Sequence, residues 1–293
     1  MLQAGSKLDI NGRPETGLTR KIFRFTKIEH TAFSVPLVLA GAWIGTEGRT
    51  PSVSSLLLII AAAAGARIFG MSLNRIFDRH IDARNPRTAA RELPSGSLSV
   101  NTALMVASGG LAVYLAACAL LGGWCLILSP LPLVPLMGYS LLKRFTALCH
   151  FGIGLCLALA PMGAFVASSG LLGFSPEVLW FSLFVFFWLS GADIIYAIMD
   201  IEADRTHQIH SIPARYGRID ALKIAAFCHM LAFGCLVVVY SLISGGPGAM
   251  AALVVATTAM ATLYIPSIPI GMRFFPIATI AGIAAAFVPI LGY

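Results

Sequence analysis

The chain of 293 residues is 58% hydrophobic and only 11% charged, with a mean hydropathy of +0.85; soluble domains carry about 25% charged residues, so the composition excludes a soluble globular protein. The formal charge of +7 invites an anionic partner such as nucleic acid, but no separate basic domain exists to carry that role. Apolar runs of about 18 residues or more recur along almost the whole length, and at ~1.5 Å per residue each crosses a hydrocarbon core of about 30 Å as a helix. The short alternating segments of a membrane β-barrel are missing.

Taken in chain order, residues 1–25 predict a polar amino-terminal tail without the apolar stretch of a cleaved signal peptide. Residues 26–293 predict a single transmembrane domain. Its spans are expected at 31–47, 53–78, 101–121, 123–141, 149–168, 177–201, 221–244, 249–268 and 273–291, an all-α integral membrane protein of nine helices. Of the 20 lysines and arginines, six precede the first span, five lie at 75–91, two at 143–144, four at 205–223 and one at 273. The positive-inside rule therefore places the amino terminus and the loops after spans two, four, six and eight in the cytoplasm, in an inner-membrane, multi-pass protein. The basic excess is then topology, and no nucleic acid or obligate protein partner is expected. Six cysteines show no C-x-x-C spacing, so neither a disulfide framework nor a zinc site is expected.

Ionised groups are costly in hydrocarbon, so the acids are informative. "NRIFDRHIDARNPRT", at the end of the second span, sets Asn74, Asp78 and Asp82 one helical turn apart on one face. "DIIYAIMDIEAD", at the end of the sixth, places Asp193, Asp200 and Asp204 within an arc of about 40° while Glu202 points elsewhere. Like charges one turn apart repel, and a divalent cation is the natural compensator. Mg²⁺ in particular takes one or two carboxylates together with water and substrate phosphates. Nearby bases, Arg75, Arg79, Arg84, Arg87 and Arg91 in one loop and Arg205 and Arg215 in the other, suit the remaining phosphate oxygens. Acids for metal and bases for phosphate describe a diphosphate site. A cation- or proton-coupled transporter would use the same carboxylates, but nearer the bilayer midplane.

Supporting residues are harder to assign. Asp193 lies about 10 Å deeper than Asp200 in a straight helix, where it would orient a second substrate, accept its proton, or pair with a polar partner across the bundle. Tyr139 and Tyr196 offer aromatic faces to a developing cation. Lys143 lies one turn from Tyr139 on the same face, at a helix end that favours a cation. Glu29, His30, His80, His150, His207, His210 and His229 show no convincing ligand spacing.

These elements together resemble the UbiA superfamily of intramembrane aromatic prenyltransferases, from about residue 25 to the carboxyl terminus. "NRIFDRHIDARNPRT" resembles its first aspartate-rich motif and "DIIYAIMDIEADR" its second; "YSLLKRFT" resembles the Y-x-x-x-K element, and "RELPSG" an arginine, proline and glycine element. "KIEHTAFSVP", "ARELPSG" and "HSIPARYG" look like the 4-hydroxybenzoate polyprenyltransferase-like group, including its branch assigned to menaquinone synthesis by the futalosine route. Two departures stand out: Arg75, where many members carry aspartate, and Glu92, where many carry proline.

The resemblance implies nine transmembrane helices around a central cavity under a cap of cytoplasmic loops, Mg²⁺ dependence and a polyprenyl diphosphate donor. Asn74, Asp78, Asp82, Asp200 and Asp204 would bind the metal–diphosphate complex. Arg79 and Lys143, with Arg91, Arg205 and Arg215 around them, would contact the diphosphate, and Arg144 would meet a carboxylate on the aromatic acceptor. The implied reaction attaches the polyprenyl chain to a 4-hydroxybenzoate-type or deoxyfutalosine-type acceptor in ubiquinone or menaquinone synthesis. A terpene cyclase of the same superfamily is the alternative within the fold.

Overall fold

The computed structural model describes residues 17–27, 31–170 and 175–293, with the backbone alone for residues 31–33. All regular structure among them is helical. Glu29 and His30 lie outside the described residues.

Residues Leu18–Thr26 form a short helix, α1, where the sequence predicts the end of a polar tail. Its apolar side explains the difference: Phe25 is fully buried in a small cluster with Ile76, Leu98 and Ala103. After α2 (Thr31–Gly45), α3 runs from Val53 to Asp82, beginning where the Ser52 hydroxyl accepts a hydrogen bond from the Ser55 amide. That carries the helix four residues beyond the predicted 53–78 and keeps the whole first acidic group on one helix. α4 (Val100–Leu121) follows a long loop at 83–99. The predicted span at 123–141 is broken into α5 (Gly123–Leu128) and α6 (Pro130–Leu142), because Pro130 supplies no amide to continue the ladder. Next come α7 (Cys149–Ser169) and α8 (Pro176–Ala197). A 3₁₀ turn at Ile198–Asp200 and the short α9 (Ile201–Thr206) extend α8. α10 (Ile212–Leu242) is kinked at Gly217, whose φ of 80° is open to glycine at little cost. α11 (Pro247–Thr262), α12 (Ile270–Met272), a π-helical turn at Arg273–Ile277 and α13 (Ala278–Gly292) complete the chain.

Among the described residues, seven helical stretches are long and apolar enough to cross a membrane: Val53–Asp82, Val100–Leu121, Gly123–Leu142, Cys149–Ser169, Pro176–Thr206, Ile212–Leu242 and Ile270–Gly292. Two of the nine expected spans fall on shorter apolar helices, Ser34–Gly45 and Pro247–Thr262.

α8 is the centre of the bundle. It is apolar around most of its circumference, Asp193 aside, and packs against both α7 and α10. Phe181, Phe184 and Trp188 stack along it, essentially without exposure. α3 and α4 form another close pair, because Gly65 and Gly110 let their backbones meet: a Cβ on Gly65 would lie 2.7 Å from the Gly110 carbonyl. Between these groups, walled chiefly by α3, α4, α6, α7 and α8 and bordered at one end by the 83–99 loop, lies a cavity of about 590 Å³. α10, α11 and α13 contribute nothing to its lining among the described residues and serve as scaffold.

Candidate active site

The first acidic group occupies the last turns of α3, where Asp78 and Asp82 are buried. Asn74 Nδ2 donates to Asp78 Oδ2 at 3.0 Å, the expected one-turn contact. Lys143 Nζ, at the carboxyl end of α6, donates to the same oxygen at 2.6 Å. The other oxygen, Asp78 Oδ1, is buried with no hydrogen-bond partner among the described residues. Asp82 receives Arg91 Nη1 on both oxygens, each at 2.8 Å.

The second group is reached through the same loop. Arg87 Nε donates to Asp200 Oδ1 at 2.8 Å and its Nη2 to Oδ2 at 2.5 Å, while Asn85 Nδ2 adds a 2.8 Å bond to Oδ1. Arg87 Nη1 donates to the Tyr196 hydroxyl at 2.7 Å, with the guanidinium carbon 5.0 Å from the ring centroid. Phe274, set by the π turn, lies against the same ring at 4.4 Å between centroids. Burial acts to lower the Arg87 pKa, but the bonds to Asp200 and Tyr196 outweigh it and the net direction is upward. The 83–99 loop is therefore a strap: Arg87 and Asn85 hold one acidic group, Arg91 the other.

Asp204 has a hydroxyl partner instead of a cation, accepting from Ser211 Oγ at 2.8 Å. Asp193 pairs across the bundle with His150, whose Nδ1 lies 2.7 Å from Asp193 Oδ2. The tautomer follows from the other side of the ring. The Ile212 amide can only donate, and it reaches His150 Nε2 at 3.3 Å; Nε2 is thus the acceptor, and Nδ1 carries the proton donated to Asp193.

No three histidine, cysteine, aspartate or glutamate side chains among the described residues form a cluster able to hold a metal unaided. The donors instead suit an ion completed by its substrate. Four carboxylates, Asp78, Asp82, Asp200 and Asp204, line one cavity, and Asp78 Oδ1 has a free, buried lone pair. That fits Mg²⁺, which takes few protein carboxylates and retains water and phosphate oxygens.

Comparison with known proteins decides the family. The UbiA prenyltransferase family matches residues 34–270. The chain belongs to the UbiA prenyltransferase family. It is 30% identical over 230 residues to a 4-hydroxybenzoate octaprenyltransferase of Coxiella burnetii, covering 78% of this chain and 79% of that one. With the 4-hydroxybenzoate octaprenyltransferase of Nitrosomonas eutropha it shares 29% over 224 residues, 74% and 75% of the two chains. The apo structure of a UbiA homolog from Aeropyrum pernix K1 superposes with a TM-score of 0.77 at 32% identity, over 90% of this chain and 96% of that one. A UbiA homolog from Archaeoglobus fulgidus, solved bound to GPP and Mg²⁺, matches with a TM-score of 0.66 at 21% identity over 92% and 99%, a likeness of fold. This UbiA protein is an enzyme, a prenyltransferase.

Within the prenyltransferase cavity lie Asn74, Asp78, Asp82, Arg91, Tyr139, Lys143, Asp193, Tyr196, Asp200 and Asp204. Five expected residues are absent from its lining, among them Arg84, which is exposed. Arg79 turns back to its own helix and donates to the Ile76 carbonyl at 2.8 Å, since it lies one residue around from Asp78 and so off the acidic face. Arg144, next to Lys143, likewise faces outward, donating to the Phe77 carbonyl at 2.7 Å. Arg205 donates to the Ala214 carbonyl at 2.9 Å, and Arg215 lies over the Tyr216 ring at 5.3 Å. Asn85 and His150 take places the spacing argument did not assign, and Arg87, expected among the phosphate bases, here holds Asp200. Asn85 and Arg87 had a signal, the Asn-Pro-Arg turn directly after the first acidic group; His150 had none, because its partner is 43 residues away.

Proposed function

We propose that this UbiA prenyltransferase moves a polyprenyl chain from polyprenyl diphosphate to a small aromatic carboxylic acid, with Mg²⁺, in quinone synthesis. A 4-hydroxybenzoate-type acceptor comes first, in keeping with the names of the curated relatives, and a benzoate-bearing deoxyfutalosine-type acceptor second. The observation that carries the reading is the convergence of four acids and three cations on the polar end of a cavity whose remaining wall is largely apolar. UbiA homologs of the same fold bound to GPP or DMAPP with Mg²⁺ support the donor class and the metal.

In this proposal Asn74, Asp78, Asp82, Asp200 and Asp204 hold the metal, whose positive charge at the departing diphosphate would favour ionisation of the allylic carbon. Lys143, Arg87 and Arg91, bonded to Asp78, Asp200 and Asp82, are the donors that would turn to diphosphate oxygens. Tyr139 and Tyr196 face the allylic cation. The apolar wall keeps water from that cation and receives the lipid tail. The acceptor ring attacks the allylic carbon, the carbon–oxygen bond to diphosphate breaks, and the ring proton passes to Asp193, held in place by His150 Nδ1–H. We also propose that α2 and α11 cross the bilayer, making nine spans, and that the strap faces the cytoplasm at the inner membrane.

The test incubates membranes containing the protein with Mg²⁺, prenyl diphosphates of several lengths and a panel of aromatic acids, and identifies products by mass. Prenylated acid with stoichiometric diphosphate is expected. Intact donor would leave transport as the activity, and diphosphate with a cyclised hydrocarbon would mean terpene cyclisation. Asp78→Asn and Asp200→Asn should each lower kcat/KM by about 100-fold or more, with normal yield of membrane-embedded protein.

A further inference from the structure

α1 is a basic, two-faced helix that the proposed chemistry does not use. Its inward face carries Phe25, fully buried against Ile76 near the acidic end of α3, Leu98 at the end of the strap and Ala103 near the start of α4. Phe23 lies about 160° round the helix from Phe25 and is 52% exposed, between the exposed cations Arg20 and Arg24. With Lys21 and Lys27 these make four cations and no acid across residues 17–27. The helix stops at Lys27, whose left-handed backbone (φ 50°, ψ 49°) turns its amide back to the Phe23 carbonyl, so α1 does not run on into α2. The positive-inside rule accounts for cations in this segment, but not for an exposed ring among them or for a folded helix seated on the strap.

The surface beside α1 is a membrane boundary. Val100 and Leu104, on either side of Ala103, are exposed on a helix long and apolar enough to cross the bilayer. α1 therefore lies where spanning helix gives way to polar loop, at the level of lipid headgroups. Aromatic rings on such helices enter the headgroup–acyl boundary while the lysines and arginines around them meet lipid phosphates. We infer that α1 is a docking surface for anionic phospholipid. A soluble anion would be drawn by the charge alone, whereas the exposed ring selects a lipid. Docking also braces the strap. Glu92 lies 3.6 Å from Arg24, and its carbonyl accepts from the Leu98 amide at 3.0 Å and the Ser97 hydroxyl at 3.2 Å. Leu98 packs on Phe25, and Arg91, next to Glu92, holds Asp82. A lipid-anchored α1 thus steadies the turn that carries one of the site's cations.

Native mass spectrometry of the detergent-purified full chain, titrated with dioleoylphosphatidylglycerol, dioleoylphosphatidylcholine or inorganic diphosphate, tests the surface apart from turnover. Wild type should retain the anionic lipid at lower concentration than the zwitterionic one, and diphosphate should not displace it. Each cation near an anionic surface is worth about a fivefold gain in binding. Arg20→Gln combined with Lys21→Gln should therefore weaken phosphatidylglycerol about 30-fold and leave phosphatidylcholine unchanged. Arg20→Lys with Lys21→Arg, which keeps the charge, should bind as wild type does, and Phe23→Ser should weaken both lipids. Arg218→Gln with Lys223→Gln, two exposed cations of α10, is the control and should keep the preference. Phosphatidylglycerol should also raise the melting temperature of wild type and control, but not of the Arg20→Gln and Lys21→Gln protein. Equal retention of the two lipids by wild type overturns the inference, as does an unchanged preference in that protein or an equal loss in the control. Displacement by diphosphate would overturn it too, by making the cations a phosphate site.

Discussion

At the scale of single residues, the pair of Lys143 and Asp78 has two jobs that mutation separates. The Asp78 side chain is 3% exposed and that of Lys143 23%, so removing the lysine strands a buried carboxylate, at a cost of about 3–5 kcal/mol. Lys143→Met should therefore lower thermal stability sharply. Adding Asp78→Asn should recover much of it while prenyl transfer stays lost. A double variant no more stable than Lys143→Met would contradict the pairing. His150 is a positioning residue: His150→Phe should cut kcat about 10- to 100-fold through a misplaced Asp193 and leave the donor KM near its wild-type value. A matching rise in donor KM would move His150 to the diphosphate. The acids themselves were legible in the sequence because charge is rare in so apolar a chain, and spacing alone put them on two faces. Which cations meet them was not, since Arg79 and Arg87 look equivalent in sequence; only one of them turns back to its own helix.

At the scale of elements, the two acidic helix ends are built differently. α3 continues as regular helix through Asp82, so its four-residue rhythm survives in space. The helix bearing the second group tightens into a 3₁₀ turn at Ile198–Asp200, so the straight-helix arc expected for Asp193, Asp200 and Asp204 is only approximate. With about 3.0 residues per turn in place of 3.6, the turn changes the angular step just where Asp200 meets the strap. The pairing of α3 with α4 yields a sharper prediction. A Cβ on Gly65 would meet backbone atoms of Gly110 and Tyr114 at 2.7 Å, whereas one on Gly109 would meet nothing within 4 Å. Gly65→Ala should destabilise the protein by about 1–3 kcal/mol, and Gly109→Ala on the next helix should not, as read by thermal melting in detergent. Equal effects would mean that the close approach is unimportant.

At the scale of the whole molecule, the strap ties together two helix ends that no local contact would join. It supplies a cation to one acid on α3 and to one on the 3₁₀ turn beyond α8. Ligand binding should therefore stabilise the entire bundle. A prenyl diphosphate with Mg²⁺ at about 100 times its Kd should add about 2.7 kcal/mol, and chelating the metal should remove most of that gain. A melting temperature indifferent to chelation would count against metal binding by these acids. Composition and hydropathy by themselves determined the membrane bundle, and the rarity and spacing of its acids determined two of the site's components, because both are local properties of a chain in an apolar solvent. Tertiary structure alone decided which of several chemically identical arginines face the cavity, that His150 holds Asp193, and that Arg75 is buried in the cavity wall. Those outcomes depend on helix rotation and on contacts between residues far apart in the chain, which no local pattern records.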